Sequence, residues 1–390
     1  MNFKKITFLL GGPFPTPKAY GVTTRETINV LLKDSIDVKI FCYKSTYSDP
    51  DFDSIIEYIE HFQSSYITKY LRKIALFGSS KFNSILFRLV SLIDFISSIK
   101  QIKKVKSDIF WTREPLYAFI CLSVFKNTRI ILEVHEFSNL FLFKVLRVYL
   151  NRVTFCPINE FNLKFLKSIY HQSFNFIISP MGISRNSIAS RVEVEDFVKR
   201  IRSQKYNQIK IAYAGKLRPT TYSKGIEDLI FLAKLFQDNH SKMEVNLLGA
   251  TKEEFRYFEQ LIAKNSIEEY YLKVKEHVPH SLALSLLKNF DVLVLPAYSN
   301  SKYIGMPLKL LEYLAVGRIV IFGNSQLYRD MVPESLRVFS YTPQDIDDLY
   351  KSIFRAINYE KLFELIIEGI EFAEKFTWER RTRNIIWSFK

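Results

Sequence analysis

With 390 residues and 48% hydrophobic content, the chain is long enough to bury the cores of two α/β domains, which excludes a disordered protein. Fifty-five Lys and Arg against 40 Asp and Glu leave a formal charge of +15, so the partners to expect are anionic: nucleic acid, an acidic membrane face or a phosphate-bearing substrate. Cys42, Cys121 and Cys156 stand far apart with no CxxC or histidine-paired spacing, which argues against a disulfide framework or a zinc site and for a reducing, cytoplasmic setting.

The start MNFKKITFLLGG is basic, but its apolar run is too short for a signal peptide, and Ile6 to Leu10 reads as a first strand. Gly11-Gly12 and a proline-rich loop lead to Gly21 and a helical pattern from Thr23 to Leu32. Strand, glycine loop and helix form the anion-accepting corner of an α/β sheet, although neither GxGxxG nor GxxxxGK[ST] occurs. Val38 to Tyr43 is a second strand. From Phe52 to Ile102 the pattern is helical, and Lys69, Arg72, Lys73, Lys81, Arg88, Lys100, Lys103, Lys104 and Lys106 face little acid. Together with Phe77, Phe82, Phe87 and Phe95 this run suits an anionic membrane surface, and it equally suits a solvated basic face over a buried stripe. Ile85 to Ile99 and Phe137 to Leu150 are interrupted by charges and do not span a membrane. Asp108 to Thr112 and Ile130 to Val134 are apolar strands with a helix-length segment between them, the βαβ rhythm. The second ends in EVHEF, which puts His135 at the carboxyl end of a strand, where open α/β sheets bind ligands. There it either bonds a substrate hydroxyl or is structural.

Arg185 to Gln208 is charged and helical, and the domain boundary is placed in it. A fresh strand, Ile209 to Gly215, then meets the run GKLRPTTYSKG, in which Lys216, Arg218 and Lys224 frame a loop before the helix Ile226 to Phe236. Point charges outside and helix N–H groups behind are what a pyrophosphate needs. Val245 to Gly249 is a strand, Glu276 to Pro279 leads into a helix, and Asp291 to Pro296 is apolar enough for a parallel sheet covered on both faces. The stretch Tyr298 to Phe322 reads as loop, helix, turn and strand. Pro307 opens a helix from Met306 to Ala315, Gly317 ends it, and Ile319 to Phe322 is the strand. On that helix Leu308, Leu311 and Ala315 should face a core while Lys309 and Glu312 share an open stripe. That stripe either receives an anion and sugar hydroxyls or is an ordinary surface pair. Asp49, Asp51 and Asp53 supply DxD-like spacing, and Asp345 to Asp348 looks like a helix start; both read as solvated acids.

Pro307, Lys309, Leu310, Glu312, Tyr313, Ala315 and Gly317 match the P-x-K-L-x-E-Y-x-A-x-G signature of glycosyltransferase family 4, the group 1 type, and the chain resembles that family. The family's fuller pattern has a glutamate where Ile304 stands. Glu133, His135 and Glu136 resemble its E-x-H-E ending, Thr154 to Asn159 and Ile177 to Ile183 with SPMGIS resemble its last two N-lobe strands and its P-N-G entry to the linker, and Lys216 and Lys224 resemble the basic positions of its G-R-x…K-G element. The resemblance implies a GT-B fold: α/β, with two Rossmann-like doubly wound parallel-sheet domains facing an interlobe cleft. Residues 1–184 would be the acceptor-binding domain, 185–208 a linker and 209–375 the nucleotide-sugar-binding domain, with a helix in 376–390 returning to the first. It further implies a retaining transferase in which the acceptor attacks on the face the leaving phosphate departs from. Gly12, Gly21, Lys216, Arg218, Lys224, Val278, Gly305, Met306, Pro307, Lys309 and Glu312 would hold the donor. Among these Lys216 and Lys224 would neutralise the diphosphate, Glu312 would hold the ribose and Val278 would lie by the base, while His135 would orient the sugar. No metal or other cofactor is implied; the co-substrate would be a UDP- or GDP-sugar. The acceptor would be a glycan or polyprenyl-linked oligosaccharide of a bacterial cell-surface polysaccharide (capsule, O-antigen or exopolysaccharide). The setting would be the cytoplasm or the inner face of the plasma membrane. The competing readings are a sugar-nucleotide epimerase of the same fold, a metal-dependent GT-A transferase and a basic nucleic-acid-binding protein. The last lacks the interleaved aromatic and basic residues of known modules, and no nucleic-acid partner is expected.

Overall fold

A computed structural model of the chain describes residues 4–76, 81–135, 140–203, 208–217, 225–296 and 308–389. The chain divides into two units, residues 1–180 with 379–390, and residues 181–378.

In the first unit the chain runs β1 (Lys5–Phe14), α1 (Ala19–Lys33), β2 (Asp37–Lys44), β3 (Ile59–His61), α2 (Tyr66–Leu76), α3 (Lys81–Lys104), β4 (Ile109–Thr112), α4 (Pro115–Val124), β5 (Arg129–Val134), α5 (Leu140–Val145), β6 (Val153–Pro157), α6 (Glu160–Ile169) and β7 (Asn175–Phe176). The strands form one parallel sheet in the order β3-β2-β1-β4-β5-β6-β7, whose direction of winding reverses between β1 and β4. Successive residues alternate between the two faces: Leu9 and Phe41 enter one core cluster, Phe8, Leu10, Ile40 and Cys42 the other. Both faces are therefore covered, which is why these strands read as apolar runs.

Three details depart from the sequence reading. β1 does not stop at Leu10 but continues through Gly11-Gly12, its register on β2 shifting between Leu9 and Pro13, and α1 begins at Ala19. The stretch read as helical from Phe52 is interrupted, because β2 offers an open edge on which Ile59–His61 pairs in parallel with Ile40–Cys42. Ile177 to Ile183 is not a strand. Ile177 and Ser179 still donate to the carbonyls of Phe155 and Pro157, but Pro180 has no N–H to extend the ladder, and Ile183 bridges Thr377 instead. Of the two readings of the basic run, Phe95 fits the buried stripe: it is fully buried and stacks on Tyr117 with 3.9 Å between ring centroids. The side of α3 that does face water carries Leu89, Ile93 and Ile96, about half exposed, and then Lys100, Lys103 and Lys104. No helix among the described residues is long and apolar enough to cross a membrane.

The second unit runs α7 (Arg191–Ser203), β8 (Lys210–Ala214), α8 (Ile226–Asp238), β9 (Glu244–Ala250), α9 (Lys252–Lys264), β10 (Leu272–Glu276), α10 (His280–Leu287), β11 (Val292–Leu295), α11 (Leu308–Ala315), β12 (Ile319–Gly323), α12 (Gln326–Met331), β13 (Ser340–Tyr341), α13 (Ile346–Ile357), α14 (Leu362–Glu374) and α15 (Trp378–Trp387). Its sheet is parallel, in the order β10-β9-β8-β11-β12-β13. α7 lies in the segment read as a linker, yet Val194, Phe197, Val198 and Ile201 bury in this unit's core and the helix packs on α14. β10 escaped the sequence reading because LKVKE is an edge strand carrying lysines. α15 begins in this unit, and from Glu379 on it belongs to the first. There Ile385 and Ile386 join the core cluster of β1 and β2, and Arg383 forms a two-pronged ion pair with Asp34 at 3.0 and 2.8 Å.

Candidate active site

In the second unit the sequence signature folds into α11, and its side chains meet the carboxyl ends of the central strands. Tyr313 anchors the helix: its buried hydroxyl accepts from the Ala214 N–H at 2.7 Å and donates to the Ala214 carbonyl at 3.3 Å, at the end of β8. Because β11, β12 and α14 all pack on α11, the helix has no open stripe. Glu312, expected at a surface, is only 6% exposed, and Lys309 is partly buried. The Glu312 carboxylate meets His280 Nε2 at 2.6 Å, at the first residue of α10. Burial alone would raise the Glu312 carboxyl, but the charge and hydrogen bond of His280 and the nearby Lys309 ammonium hold it below the ordinary carboxylate range. Burial lowers the Lys309 ammonium, against the pull of Glu312.

Lys309 Nζ stands 5.8 Å from the centre of the Tyr213 ring and against the backbone of Gly215, which has φ +139°. A Cβ on Gly215 would lie 2.2 Å from that ammonium, and a Cβ on Gly249 would lie 2.8 Å from the Gly215 carbonyl oxygen. Lys216 follows, exposed, with its carbonyl accepting from the Tyr213 hydroxyl at 3.3 Å, and Val278 lies partly buried between β10 and α10. The structure thus gathers Lys216, Lys309, Glu312 and Val278 at one end of one sheet and adds His280, which the sequence reading passed over. A histidine ahead of an amphipathic helix, two residues after Val278, carries no signal until the fold sets it against Glu312. Arg218, Lys224, Gly305, Met306 and Pro307 lie outside the described residues. A buried carboxylate kept ionised, beside the Lys309 ammonium and bare main chain, can accept from hydroxyls while the ammonium faces an anion.

In the first unit Gly12 and Gly21 answer packing demands of the β1–α1 connection. A Cβ on Gly21 would lie 2.2 Å from the Thr16 carbonyl oxygen, and one on Gly12 2.8 Å from the Tyr20 hydroxyl. His135 is the chemically richer residue. Its Nε2 lies 2.8 Å from Oε2 of Glu133, a carboxylate 4% exposed. Glu133 also accepts from Trp111 Nε1 at 2.9 Å and Arg113 Nε at 2.9 Å, and Arg381 Nη2 forms an ion pair with its Oε1 at 2.9 Å. Burial would raise this carboxyl, but the guanidiniums of Arg381 and Arg113 and the His135 hydrogen bond hold it well below the usual range. Burial, with Arg113 adding to it, pushes the His135 imidazole down to about 4, against the pull of Glu133. The ring is therefore neutral near pH 7. A carboxylate has no proton to give, so Nε2 carries the hydrogen and Nδ1 is left as an acceptor. The Glu136 of the motif lies outside the described residues.

The acids of the DxD-like pattern have structural work. Asp49 caps the turn that opens at Pro50 by accepting from the Asp51 N–H at 2.9 Å, Asp51 pairs with Arg25 at 2.9 Å, and Asp345 caps α13 through the Asp348 N–H.

Residues 195–370 match the family model described as glycosyl transferases group 1, the stretch that contains β8, α10 and α11. No curated protein matches the sequence. Among solved structures, a sucrose-phosphate synthase from Thermosynechococcus elongatus superposes with a TM-score of 0.69 at 15% identity, covering 99% of this chain and 98% of that one. A glycosyltransferase from Rickettsia africae gives 0.68 at 14% identity over 100% and 98% of the two chains. HepE of Anabaena, solved with UDP and glucose, gives 0.65 at 13% identity over 99% of each. The fold is GT-B. In this GT-B chain Lys216, His280, Lys309 and Glu312 fall inside the matched segment, whereas His135 and its carboxylate hub fall outside it.

Proposed function

We propose that the protein is a retaining glycosyltransferase that moves a sugar from a nucleotide-diphosphate sugar to a saccharide or lipid-linked acceptor. The observation that carries this reading is the buried Lys309–Glu312–His280 cluster at the carboxyl end of β8, inside the segment matched to group 1 glycosyl transferases. Glu312, kept ionised, accepts from the ribose hydroxyls of the donor. Lys216, Lys224 and Lys309 face its diphosphate, where negative charge accumulates as the glycosidic bond breaks, so these cations favour the transition state over the bound substrate. His135 accepts a hydroxyl of the transferred sugar at Nδ1. The acceptor attacks on the face the phosphate leaves from, and its proton goes to that leaving phosphate. UDP is the favoured nucleotide, because HepE was solved with UDP and with UDP-glucose and a trehalose-6-phosphate enzyme with UDP-2-fluoro glucose. The reading takes the reaction as metal-independent and the pathway as bacterial cell-surface polysaccharide synthesis.

The same reading places the enzyme on an anionic membrane. Leu89, Ile93, Ile96, Lys100, Lys103 and Lys104 recur on one side of α3, so aliphatic groups for the interface run straight into ammoniums for the headgroups.

A thermal-shift screen of UDP-, GDP- and dTDP-sugars on wild type and Glu312→Gln tests the donor assignment, since only a ligand preferring the folded state raises its stability. Stabilisation by a UDP-sugar that is lost in Glu312→Gln supports it; equal shifts in both proteins, or none, refute it. Retained activity in EDTA and an unchanged anomeric configuration in the product test the remaining steps.

A further inference from the structure

We propose that Arg381, on the C-terminal helix α15, is a positioning residue for His135: its buried ion pair with Oε1 of Glu133 holds that carboxylate ionised and in place, so that Oε2 is committed to the imidazole Nε2–H. The inference rests on the role given to His135 above. A carboxylate offers two acceptor sites on each oxygen. Here three hydrogen bonds reach it, Oε1 accepting from Trp111 and Oε2 from Arg113 and His135 at 2.8 to 2.9 Å, while Arg381 Nη2 stands 2.9 Å from Oε1 as an ion pair outside hydrogen-bond geometry. A carboxylate held from four sides neither rotates nor takes up a proton, so the ring it holds is confined to one tautomer and one orientation.

Arg381 is the one partner of the four that does not come from the strands around Glu133. Trp111 lies on β4, Arg113 follows it, and His135 follows β5, whereas Arg381 arrives on α15, the segment by which the chain returns from the second unit. Its side chain is 2% exposed, and α15 is fixed on both sides of it. Trp378 donates to the Ile183 carbonyl at 3.1 Å, and Arg383 grips Asp34. Nothing about bracing a helix requires a buried guanidinium: Ile385 and Ile386 already dock it by apolar contact. An unpaired buried guanidinium is costly, so its presence against Glu133 implies a use for the pair rather than for the helix.

The test uses the full-length protein labelled with 15N-histidine, the His135 resonances being assigned by their loss in His135→Gln. In wild type at pH 6 the ring should be neutral with the proton on Nε2. Arg381→Gln should mix the two tautomers and lower kcat for sugar transfer at least tenfold with the donor KM changed less than threefold. Arg381→Lys, which restores a charged donor, should recover the tautomer and most of kcat. A folded Arg381→Gln protein whose His135 tautomer matches wild type overturns the proposal. If that variant does not fold, the wild type still decides, for a His135 ring protonated at pH 6 or carrying its proton on Nδ1 overturns it too. A shifted tautomer with unchanged kcat and KM upholds the positioning and refutes instead the role of His135 in transfer.

Discussion

The environment of His135 makes a quantitative demand on stability. The imidazole titrates near 6.5 when free and is pushed to about 4 in the folded chain. A group with a depressed folded pKa contributes stability that is complete above the unfolded value. Here that contribution is lost as the pH falls from about 6.5 toward about 4, because the unfolded chain takes up the proton first. The whole gap corresponds to about 3.4 kcal/mol, of which about 2 kcal/mol is lost by pH 5. Glu133 contributes in the opposite region, since its carboxyl is held low and its share falls only below its ordinary value of 4.5. Between pH 7.5 and 5 the His135 contribution is therefore separable. His135→Gln keeps an N–H for Glu133 and removes the titration, and the other five histidines cancel in the comparison. Urea unfolding of both proteins at several pH values, followed by tryptophan fluorescence, should show wild type losing about 2 kcal/mol more than the variant on going to pH 5. Parallel curves would mean that His135 is free to ionise and that the account of its burial between Arg113, Arg381 and Glu133 is wrong.

Four further outcomes follow from the geometry. Glu312→Gln removes the charge from a buried hydrogen bond and should cost on the order of 10- to 100-fold in donor affinity by calorimetry, with His280→Gln moving the same way. Lys216→Ala, Lys224→Ala and Lys309→Met should each lower kcat more than they raise KM in steady-state assays, because leaving-group charge peaks in the transition state. Gly249→Ala drives a Cβ to 2.8 Å from the Gly215 carbonyl at φ +109°, and should lower unfolding free energy by at least about 2 kcal/mol in denaturant titration. Lys100, Lys103, Lys104 and Lys106 changed together to Glu should release the protein from phosphatidylserine vesicles in flotation, each lysine counting for about 1 kcal/mol within a Debye length of about 8 Å. The wild type should float at low salt and detach at high salt.

What could be read from the sequence was what local chemistry determines. Val292–Leu295 and Ile319–Gly323 are buried on both faces, so their apolar runs are unmistakable, and the proline and glycine punctuation of α11 predicts its ends without reference to anything distant. Legibility fails where a neighbour decides. Ile59–His61 is a strand only because β2 has an edge to offer, and Glu312 is buried where α10 sets His280 against the side of α11 that the periodicity leaves polar. His280 and Arg381 are ordinary residues in ordinary helices until folding presses each against a carboxylate far away in the chain. The basic character of residues 69–106 was plain, but which apolar residues accompany it was not, since Phe95 turns inward to Tyr117 and leaves Ile93 and Ile96 outside.

The contact between Gly215 and Gly249 bears on how such an enzyme can change its donor. Where the two strand ends meet beside Lys309, what lies there is peptide group, and no substitution replaces a peptide group. This part of the site is closed to tailoring by point mutation: a different side chain at either glycine collides with the neighbouring carbonyl or with the ammonium before it can touch a ligand. A library built to alter sugar preference should leave both glycines untouched and spread its diversity over Lys216 and Val278. Nearly all functional clones from an unrestricted library should retain glycine at 215 and 249, whatever sugar they are selected to use.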